Sequence, residues 1–207
     1  MSRLHAISAR SAVLVMLVCC FSGSAHAQSI SMGDYYPLSN GQSYRYADVI
    51  SGDSIGVTVA NHGTSQGSSV FRVTSSNGDH VDYSNDSKGL RIHGRRDNDL
   101  TMSLSPAAVM ADQSTRIGAS YSTTPSFIYP ATGNKLIWQT NIMGFENVTV
   151  PGGTFTDCLK VELTVRDVTL RTRYARLHVY FAKNVGPVKQ MGEFFGIYFA
   201  RELTNRN

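Results

Sequence analysis

The sequence predicts an all-β protein built on one strongly curved antiparallel sheet of about ten strands, with a single short helix. Two observations support this prediction. Short segments of alternating apolar and polar residues fill the chain after residue 27, and Gly, Asn, Asp and Ser separate them. Of the 207 residues, 42% are hydrophobic and only 16% are charged. This composition supports a sizeable core and argues against a disordered or coiled-coil chain.

The first 27 residues have the pattern of a secretory signal peptide. Arg3 and Arg10 supply its positive charge, residues 12–21 form an apolar run, and small residues precede a cleavage site between Ala27 and Gln28. The apolar run is shorter than the roughly 18 residues that span a membrane. We therefore expect cleavage, and no transmembrane segment in the remaining chain.

Residues 28–207 are expected to form one exported domain, in the periplasm or outside the cell. Val18 stands before Cys19, where attachment of a lipid requires a small residue, so we do not expect a lipid anchor. Cleavage lowers the formal charge from +4 to +2, which is too small for a nucleic-acid-binding surface. It also leaves Cys158 as the only cysteine, so no disulfide within the chain is expected.

In the first half of the domain, the alternation predicts strands and the turn residues place their ends. Asn77-Gly78 is the strongest hairpin signal. The helix is predicted at Ser105–Ala111, because Ser105 suits a helix cap and Pro106 suits the first helical position. The strands predicted here are 43–50, 55–61, 70–75, 80–84, 90–93 and 100–104.

The second half contains the longest clean alternation, at residues 159–166. A parity change after Arg166-Asp167 predicts a β-bulge. Pro151-Gly152-Gly153 and residues 184–188 read as turns between strands. The remaining predicted strands are 135–145, 148–150, 174–181, 185–191 and 194–203.

Several strands of the second half carry apolar residues on both faces. A strand that is buried on one face only alternates cleanly. The two-sided pattern therefore indicates a sheet whose concave face lines an apolar cavity, or one that is covered by a partner. We predict that the ligand-binding residues are Leu136, Trp138, Tyr174, His178, Tyr180 and Tyr198.

Three motifs resemble a family of bacterial exported proteins and lipoproteins of unknown function. They are Tyr35-Tyr36-Pro37-Leu38, the stretch 148–161 that contains Val-Pro-Gly-Gly-Thr-Phe and Cys-Leu-Lys-Val, and the stretch 180–189 that reads Tyr-Phe-Ala-Lys-Asn-Val-Gly-Pro-Val-Lys. The resemblance implies a strongly curved antiparallel sheet. It also implies a relation to the half-barrel of periplasmic lipoprotein carriers, which shelter acyl chains.

The sequence contains no catalytic, cofactor or metal motif. The histidines lack metal-ligand spacing, and Asp97-Asn98-Asp99 lacks the glycine and glutamate of a calcium loop. Cys158 is expected to be a free thiol that packs as a small hydrophobic residue. A basic cluster is a candidate patch for anionic lipid head groups, and it comprises Arg166, Arg171, Arg173 and Arg176.

These observations favour a non-enzymatic envelope protein that binds an apolar or amphipathic ligand in the concave face of the sheet. The expected ligand is a lipid or the acyl chain of a lipoprotein. The alternative is a structural adaptor that docks on another envelope protein through a face or edge of the sheet. No cofactor and no nucleic-acid partner are expected in either case.

Overall fold

The computed structural model describes residues 29–97, 100–127, 135–170, 172–194 and 196–207. The predicted signal peptide and its cleavage site at Ala27 and Gln28 lie outside these residues. So do Arg171 of the basic cluster and the last two residues of Asp97-Asn98-Asp99.

β-Strands contain 73% of the described residues, and the one helix among them has four residues. The elements in chain order are β1 (Ile30–Ser31), α1 (Met32–Tyr35), β2 (Ser43–Asp48), β3 (Ser54–Ser65), β4 (Ser68–Ser75), β5 (His80–Asp86), β6 (Gly89–Asp97), β7 (Leu100–Ala111), β8 (Ser114–Thr115), β9 (Ser120–Thr123), β10 (Ser126–Phe127), β11 (Leu136–Val150), β12 (Gly153–Asp167), β13 (Arg173–Ala182), β14 (Gly186–Phe194) and β15 (Ile197–Arg206).

Thirteen of these strands form one antiparallel sheet, in the order β10-β7-β6-β5-β4-β3-β2-β15-β14-β13-β12-β11-β9. The sheet is nearly closed and has the shape of a barrel. The predicted fold class is therefore confirmed, but the strand count is higher than predicted. The additional strands include β8, β9 and β10, which are too short to show alternation in the sequence.

The turns predicted at Asn77-Gly78 and Pro151-Gly152 are confirmed, whereas residues 186–188 of the turn predicted at 184–188 belong to β14. Asn77-Gly78 connects β4 to β5, and Gly78 N donates to Ser75 O at 2.9 Å. Pro151-Gly152 closes the β11–β12 hairpin, in which Val150 pairs with Gly153. The bulge predicted at Arg166-Asp167 does not lie on β12. The parity change marks the turn at residues 168–170, and the register shift between Val165 and Arg166 leaves the extra residue, Tyr174, on β13.

The helix predicted at Ser105–Ala111 is wrong, because these residues form the second half of β7. Ala108 pairs with Ile92 of β6, and Met110 is buried in the core. The register of β6 and β7 is irregular near Pro106, and Gln66 supplies the side-chain bonds to Leu104 O and Ala107 N at 2.9 and 3.0 Å. Pairing and burial thus override local capping signals.

The barrel is closed by one short segment, residues 120–127, which we call the strap. Its first half is β9, which pairs with β11, and its second half is β10, which pairs with β7. Between these pairings the closure depends on side chains: Thr123 Oγ1 accepts from Val109 N at 3.1 Å, and Thr140 Oγ1 donates to Val109 O at 3.3 Å.

One end of the barrel is plugged by the N-terminal segment around α1. Met32 and Tyr36 are buried in the main core, and Asn85 Nδ2 donates to the carbonyl oxygens of both residues at 2.9 Å. The Tyr36 ring contacts Tyr83 and Phe181, with ring centroids 5.3 and 5.5 Å apart. Within the described residues, no helix is long and apolar enough to cross a membrane.

The long β11–β12 hairpin bends over the outer face of the sheet. Gly152 N at its tip donates to Leu203 O of β15 at 2.8 Å. Val150 and Cys158 of the hairpin are buried there in a second cluster, together with Tyr180 of β13. The hairpin therefore covers part of the second apolar face that the sequence shows on the later strands.

Candidate functional site

A cavity of about 120 Å³ lies inside the barrel. Strands from both halves of the chain line it, and its inner end is formed by Tyr36 of the plug. Its polar lining includes Ser75, Asp79, His80 and Asp97, which belong to the β4–β5 turn and the end of β6. The mouth of the cavity therefore lies at the end of the barrel opposite the plug.

Most of the wall of the cavity is apolar or aromatic. Alternate residues of β3, β4, β5 and β13 face inward. These inward positions carry small branched residues, and the outward positions between them carry polar ones. The wall residues are Val57, Val73, Val81, Val179, Met110, Phe181 and Phe199. An apolar wall with a few convergent polar groups is the usual composition of a small-molecule site.

Two arginines project into this cavity. Arg95 is neutralised by Asp97, with Nη2 and Oδ1 2.7 Å apart, and its guanidinium lies 4.0 Å from the centre of the Phe194 ring. Arg201 makes no ion pair with any described residue, and its buried Nε has no hydrogen-bond partner there. Burial lowers the pKa of Arg201, and the nearby Arg95 charge lowers it further. The guanidinium nevertheless stays charged at neutral pH.

Four tyrosines surround the cavity, and only two of them make a hydrogen bond through the hydroxyl group to a described residue. Tyr46 donates to Pro187 O at 2.8 Å, and Tyr44 donates to Val185 O at 3.2 Å. The hydroxyls of Tyr36 and Tyr83 make no hydrogen bond within the described part of the chain. Burial raises the pKa of both groups, so both remain neutral donors. Arg201, Tyr36 and Tyr83 can therefore offer donors to an acceptor group of a ligand.

The predicted ligand-binding residues do not share this cavity. Leu136 and Trp138 are buried in the main core beside Phe194, and Tyr174 packs against the same core. Leu136 and Trp138 are only 2% and 1% exposed, so no open space is left beside them for a ligand.

The other three predicted residues lie elsewhere. Tyr180 belongs to the second cluster under the bent hairpin, His178 faces outward beside Glu162, and Tyr198 is exposed at the end of the β14–β15 hairpin. The six residues were grouped by apolar parity, and parity alone does not separate the interior from a face covered by the chain itself.

Of the three described arginines in the predicted basic cluster, one makes an ion pair and two do not. Arg176 Nε donates to Glu162 Oε2 at 2.7 Å, and His178 Nε2 lies 3.2 Å from the same oxygen. Arg166 and Arg173 are register neighbours on β12 and β13, and neither makes an ion pair among the described residues. Arg166 instead donates to Gln139 Oε1 at 2.7 Å.

Glu162 is expected to stabilise the protein above its pKa and not below it. Burial alone would raise the pKa of Glu162, but hydrogen bonds from Arg176 and Asn141 outweigh it and lower the pKa below the ordinary value. This stabilisation is lost as the pH falls through the lowered pKa. We expect Glu162→Gln to lower the free energy of unfolding by about 1–2 kcal/mol at pH 7. The difference should disappear once the pH has fallen below this lowered pKa.

Urea denaturation at pH 7 and pH 3 measures this difference. Glu193→Gln is the matched control, because Glu193 is exposed on β14 beside Arg176 and makes no ion pair with a described residue. If Glu162→Gln lowers the free energy of unfolding equally at both pH values, the destabilisation comes from packing and not from charge.

Ser84 and His93 form a hydrogen-bonded pair outside the cavity, with Oγ and Nε2 2.9 Å apart. Ser84 is completely buried, and His93 Nδ1 has no hydrogen-bond partner among the described residues to orient the ring. A nucleophile needs access to substrate and a base that is held by a third group. We therefore assign this pair to the packing of β5 and β6. The described residues contain no group of three metal-binding side chains.

Cys158 is buried, and its thiol is free. Burial raises its pKa to about 11, so roughly a thousandth of the thiol is ionised at pH 8. We expect iodoacetamide at pH 8 to leave Cys158 unmodified in the native protein and to modify it fully in 6 M guanidinium chloride. Mass spectrometry of the peptide that contains Cys158 measures the extent. Rapid native labelling would contradict the burial of this thiol.

The polar groups of the cavity were not found from the sequence. Arg201 stands on the same strand parity as Phe199 and Leu203, while Ala200 and Glu202 occupy the other parity. A charged residue on an apolar parity is an unusual observation. It is the signal that could have identified Arg201 before the fold was known. Tyr36 and Tyr83 meet only through the closure of the barrel, which leaves no local signal.

No protein-family model matches the sequence, and no curated protein matches it. Among solved structures, the chain is similar to the hypothetical lipoprotein YmcC from Escherichia coli, with a TM-score of 0.47 and 9% identity over 85% of this chain and 89% of that chain. It is also similar to a protein with a YmcC-like fold from Bacteroides fragilis, with a TM-score of 0.39 and 12% identity over 84% of this chain and 98% of that one. The family resemblance inferred from the sequence motifs stays a prediction.

Proposed function

We propose that this protein is a non-enzymatic, exported ligand-binding protein that holds a small amphipathic anion inside its barrel. The anionic group, a carboxylate or phosphate, pairs with Arg201 near the mouth. The apolar part packs against the wall formed by residues such as Val179 and Phe181. Export is proposed from the signal-peptide pattern at residues 1–27.

The unpaired Arg201 is the observation that supports this proposal. Arg201 is half-buried, and its guanidinium carbon lies 5.5 Å from the centre of the Phe199 ring. A cation that is partly removed from water without a counter-charge is unfavourable, and a folded protein normally pairs it. Here the nearest acidic groups, Asp48, Asp79 and Asp97, act on Arg201 only from a distance. An anionic ligand in the cavity would supply a counter-charge to the Arg201 guanidinium, and a charge-assisted hydrogen bond of this kind is stronger than a neutral one.

The size of the cavity limits the apolar part of the ligand. An engineered apolar cavity of about 150 Å³ binds one benzene molecule, and the present cavity of about 120 Å³ is slightly smaller. Ligand sites for larger molecules usually enclose about 300–1,000 Å³. The cavity therefore does not enclose a long acyl chain, which differs from the expectation from sequence. It suits an apolar group of about the size of benzene or smaller.

Isothermal titration calorimetry of the purified protein with hexanoate and benzoate tests the proposal. We expect both acids to bind, and Arg201→Gln to weaken binding by about ten-fold or more, because it removes one charge-assisted bond. Hexanol, which has no charge, should bind wild type and variant equally. Native mass spectrometry of protein purified from its own cells should show a small bound acid.

Arg45→Gln is the matched control for Arg201→Gln. Arg45 lies on the neighbouring β2 but is exposed, between the inward-facing Tyr44 and Tyr46. Its replacement should leave hexanoate binding unchanged. If no acid binds the wild type, or if Arg201→Gln and Arg45→Gln bind equally well, the proposed site is wrong.

A further inference from the structure

The open end of the barrel carries apolar residues at the tips of three adjacent hairpins. These hairpins connect β2 to β3, β14 to β15 and β12 to β13, and the order of strands places them side by side at one end. Neighbouring hairpins are two strands apart, which is about 10 Å. Their exposed apolar residues are Val49, Ile50, Val168, Leu170, Ile197 and Tyr198.

The apolar side chains at these tips are strongly exposed and lie close together. Ile50, Leu170 and Ile197 are 60%, 65% and 61% exposed. Among the described residues, only two other large hydrophobic side chains are as exposed as this group, Ile117 and Met143, and neither belongs to these hairpins. Clustered exposed apolar residues mark a surface that binds something, whereas scattered ones need no explanation.

Two of the tips contain the same local hydrogen bond. Asp48 Oδ1 accepts from Ile50 N at 2.9 Å, and Asp167 Oδ1 accepts from Leu170 N at 2.7 Å. The carboxylates at the ends of β2 and β12 are therefore bonded to backbone amides of the turns. These bonds favour one backbone conformation at each tip, which lowers the entropy cost of docking.

Positive charge lies directly behind the β12–β13 tip. Arg166 and Arg173 are opposite each other, and Lys135 O accepts from Val168 N at 2.9 Å, which places Lys135 beside them. Like charges on paired positions destabilise a sheet unless something compensates them. Arg173 is exposed and makes no ion pair with a described residue, so its guanidinium can pair with an external anion.

We propose that this end of the barrel docks on the surface of an anionic lipid bilayer. Aliphatic residues at the tips enter the boundary between head groups and acyl chains, while Tyr198, Arg166 and Arg173 lie at the depth of the phosphates. This order along the barrel axis is the one that membrane-surface proteins show. The mouth of the cavity then faces the membrane. The proposal is independent of the ligand proposed above.

Flotation with lipid vesicles tests this docking. Wild-type protein should float with vesicles of phosphatidylethanolamine and phosphatidylglycerol at 3:1, and much less with pure phosphatidylcholine. The triple variant Ile50→Ser/Leu170→Ser/Ile197→Ser should lose at least ten-fold in affinity. Arg166→Gln/Arg173→Gln should lose about five-fold for each arginine on the anionic vesicles only.

The double variant Ile117→Ser/Met143→Ser is the matched control, because it removes exposed apolar residues away from the tips. It should float like wild type. All variants should keep the wild-type circular dichroism spectrum and hexanoate binding, which separates failed docking from a failed cavity. Equal flotation of the triple variant and this control would overturn the proposal. Cross-links from the tips to a protein, with no flotation of wild type, would overturn it in favour of a protein partner.

Discussion

Trp138→Ala is expected to lower the free energy of unfolding by about 3–5 kcal/mol, the range for truncation of a large buried aromatic residue. Trp138 is only 1% exposed and is the largest fully buried side chain described. It packs against Phe194, with ring centroids 6.4 Å apart, and pairs with Val165 on β12 and Thr123 on the strap. Its removal therefore opens a void where the strap meets β11.

Trp138→Phe distinguishes the volume of this side chain from its polar group. The indole Nε1 is buried without a hydrogen-bond partner among the described residues. An unpaired buried donor is unfavourable by about 1–3 kcal/mol. Phenylalanine lacks that donor but keeps most of the ring volume. Trp138→Phe should therefore lower the free energy of unfolding by less than half as much as Trp138→Ala.

Urea denaturation followed by far-ultraviolet circular dichroism measures both changes, because Trp138 is the only tryptophan and its fluorescence is lost in the variants. Met143→Ala, at an exposed position on the same strand, should stay within about 0.5 kcal/mol of wild type. Equal losses for Trp138→Phe and Trp138→Ala would mean that the indole nitrogen has a partner.

The second large effect is expected for Gly192→Ala on β14. Gly192 has a φ of 144°, and a Cβ there would lie 2.1 Å from Arg176 O and 2.9 Å from Leu177 Cα on β13. Both contacts are with backbone, so no side chain can rotate away. The two strands must separate at this point, which breaks part of their ladder.

Gly144→Ala is the matched control, because Gly144 has a similar φ of 152° with open space at the Cβ position. Both substitutions carry the backbone strain of this region, about 1–3 kcal/mol. Gly192→Ala adds overpacking, about 1–3 kcal/mol more. Urea denaturation of the two variants measures the difference. Equal stabilities would show that β13 and β14 do not approach each other this closely.

Regular strands could be predicted from the sequence because their environment is uniform along their length. In β12, Leu159, Val161, Leu163 and Val165 are buried on one parity, as the alternation indicates. The turns at Asn77-Gly78 and Pro151-Gly152 could be predicted equally well, because local residues determine their conformation. Such features depend on neighbours within a few residues, and they account for most of the fold.

The candidate site could not be predicted in the same way, because it depends on contacts between distant parts of the chain. Arg201, Tyr36 and Tyr83 come together only when the sheet curls around the N-terminal plug. The apolar second face of β13 suggested a cavity, whereas Tyr180 packs beneath the tip of the chain's own hairpin. The helix predicted at Ser105–Ala111 failed for the same reason, since pairing with β6 decides its conformation.

The strap that closes the barrel also determines how the protein resists aggregation. Without residues 120–127, β7 and β11 would become free edges of 12 and 15 residues. Long free edges recruit strands from other molecules, and a closed sheet removes that hazard. Proteolysis or a destabilising substitution in the strap should therefore cause folded molecules to self-associate before the remaining sheet unfolds.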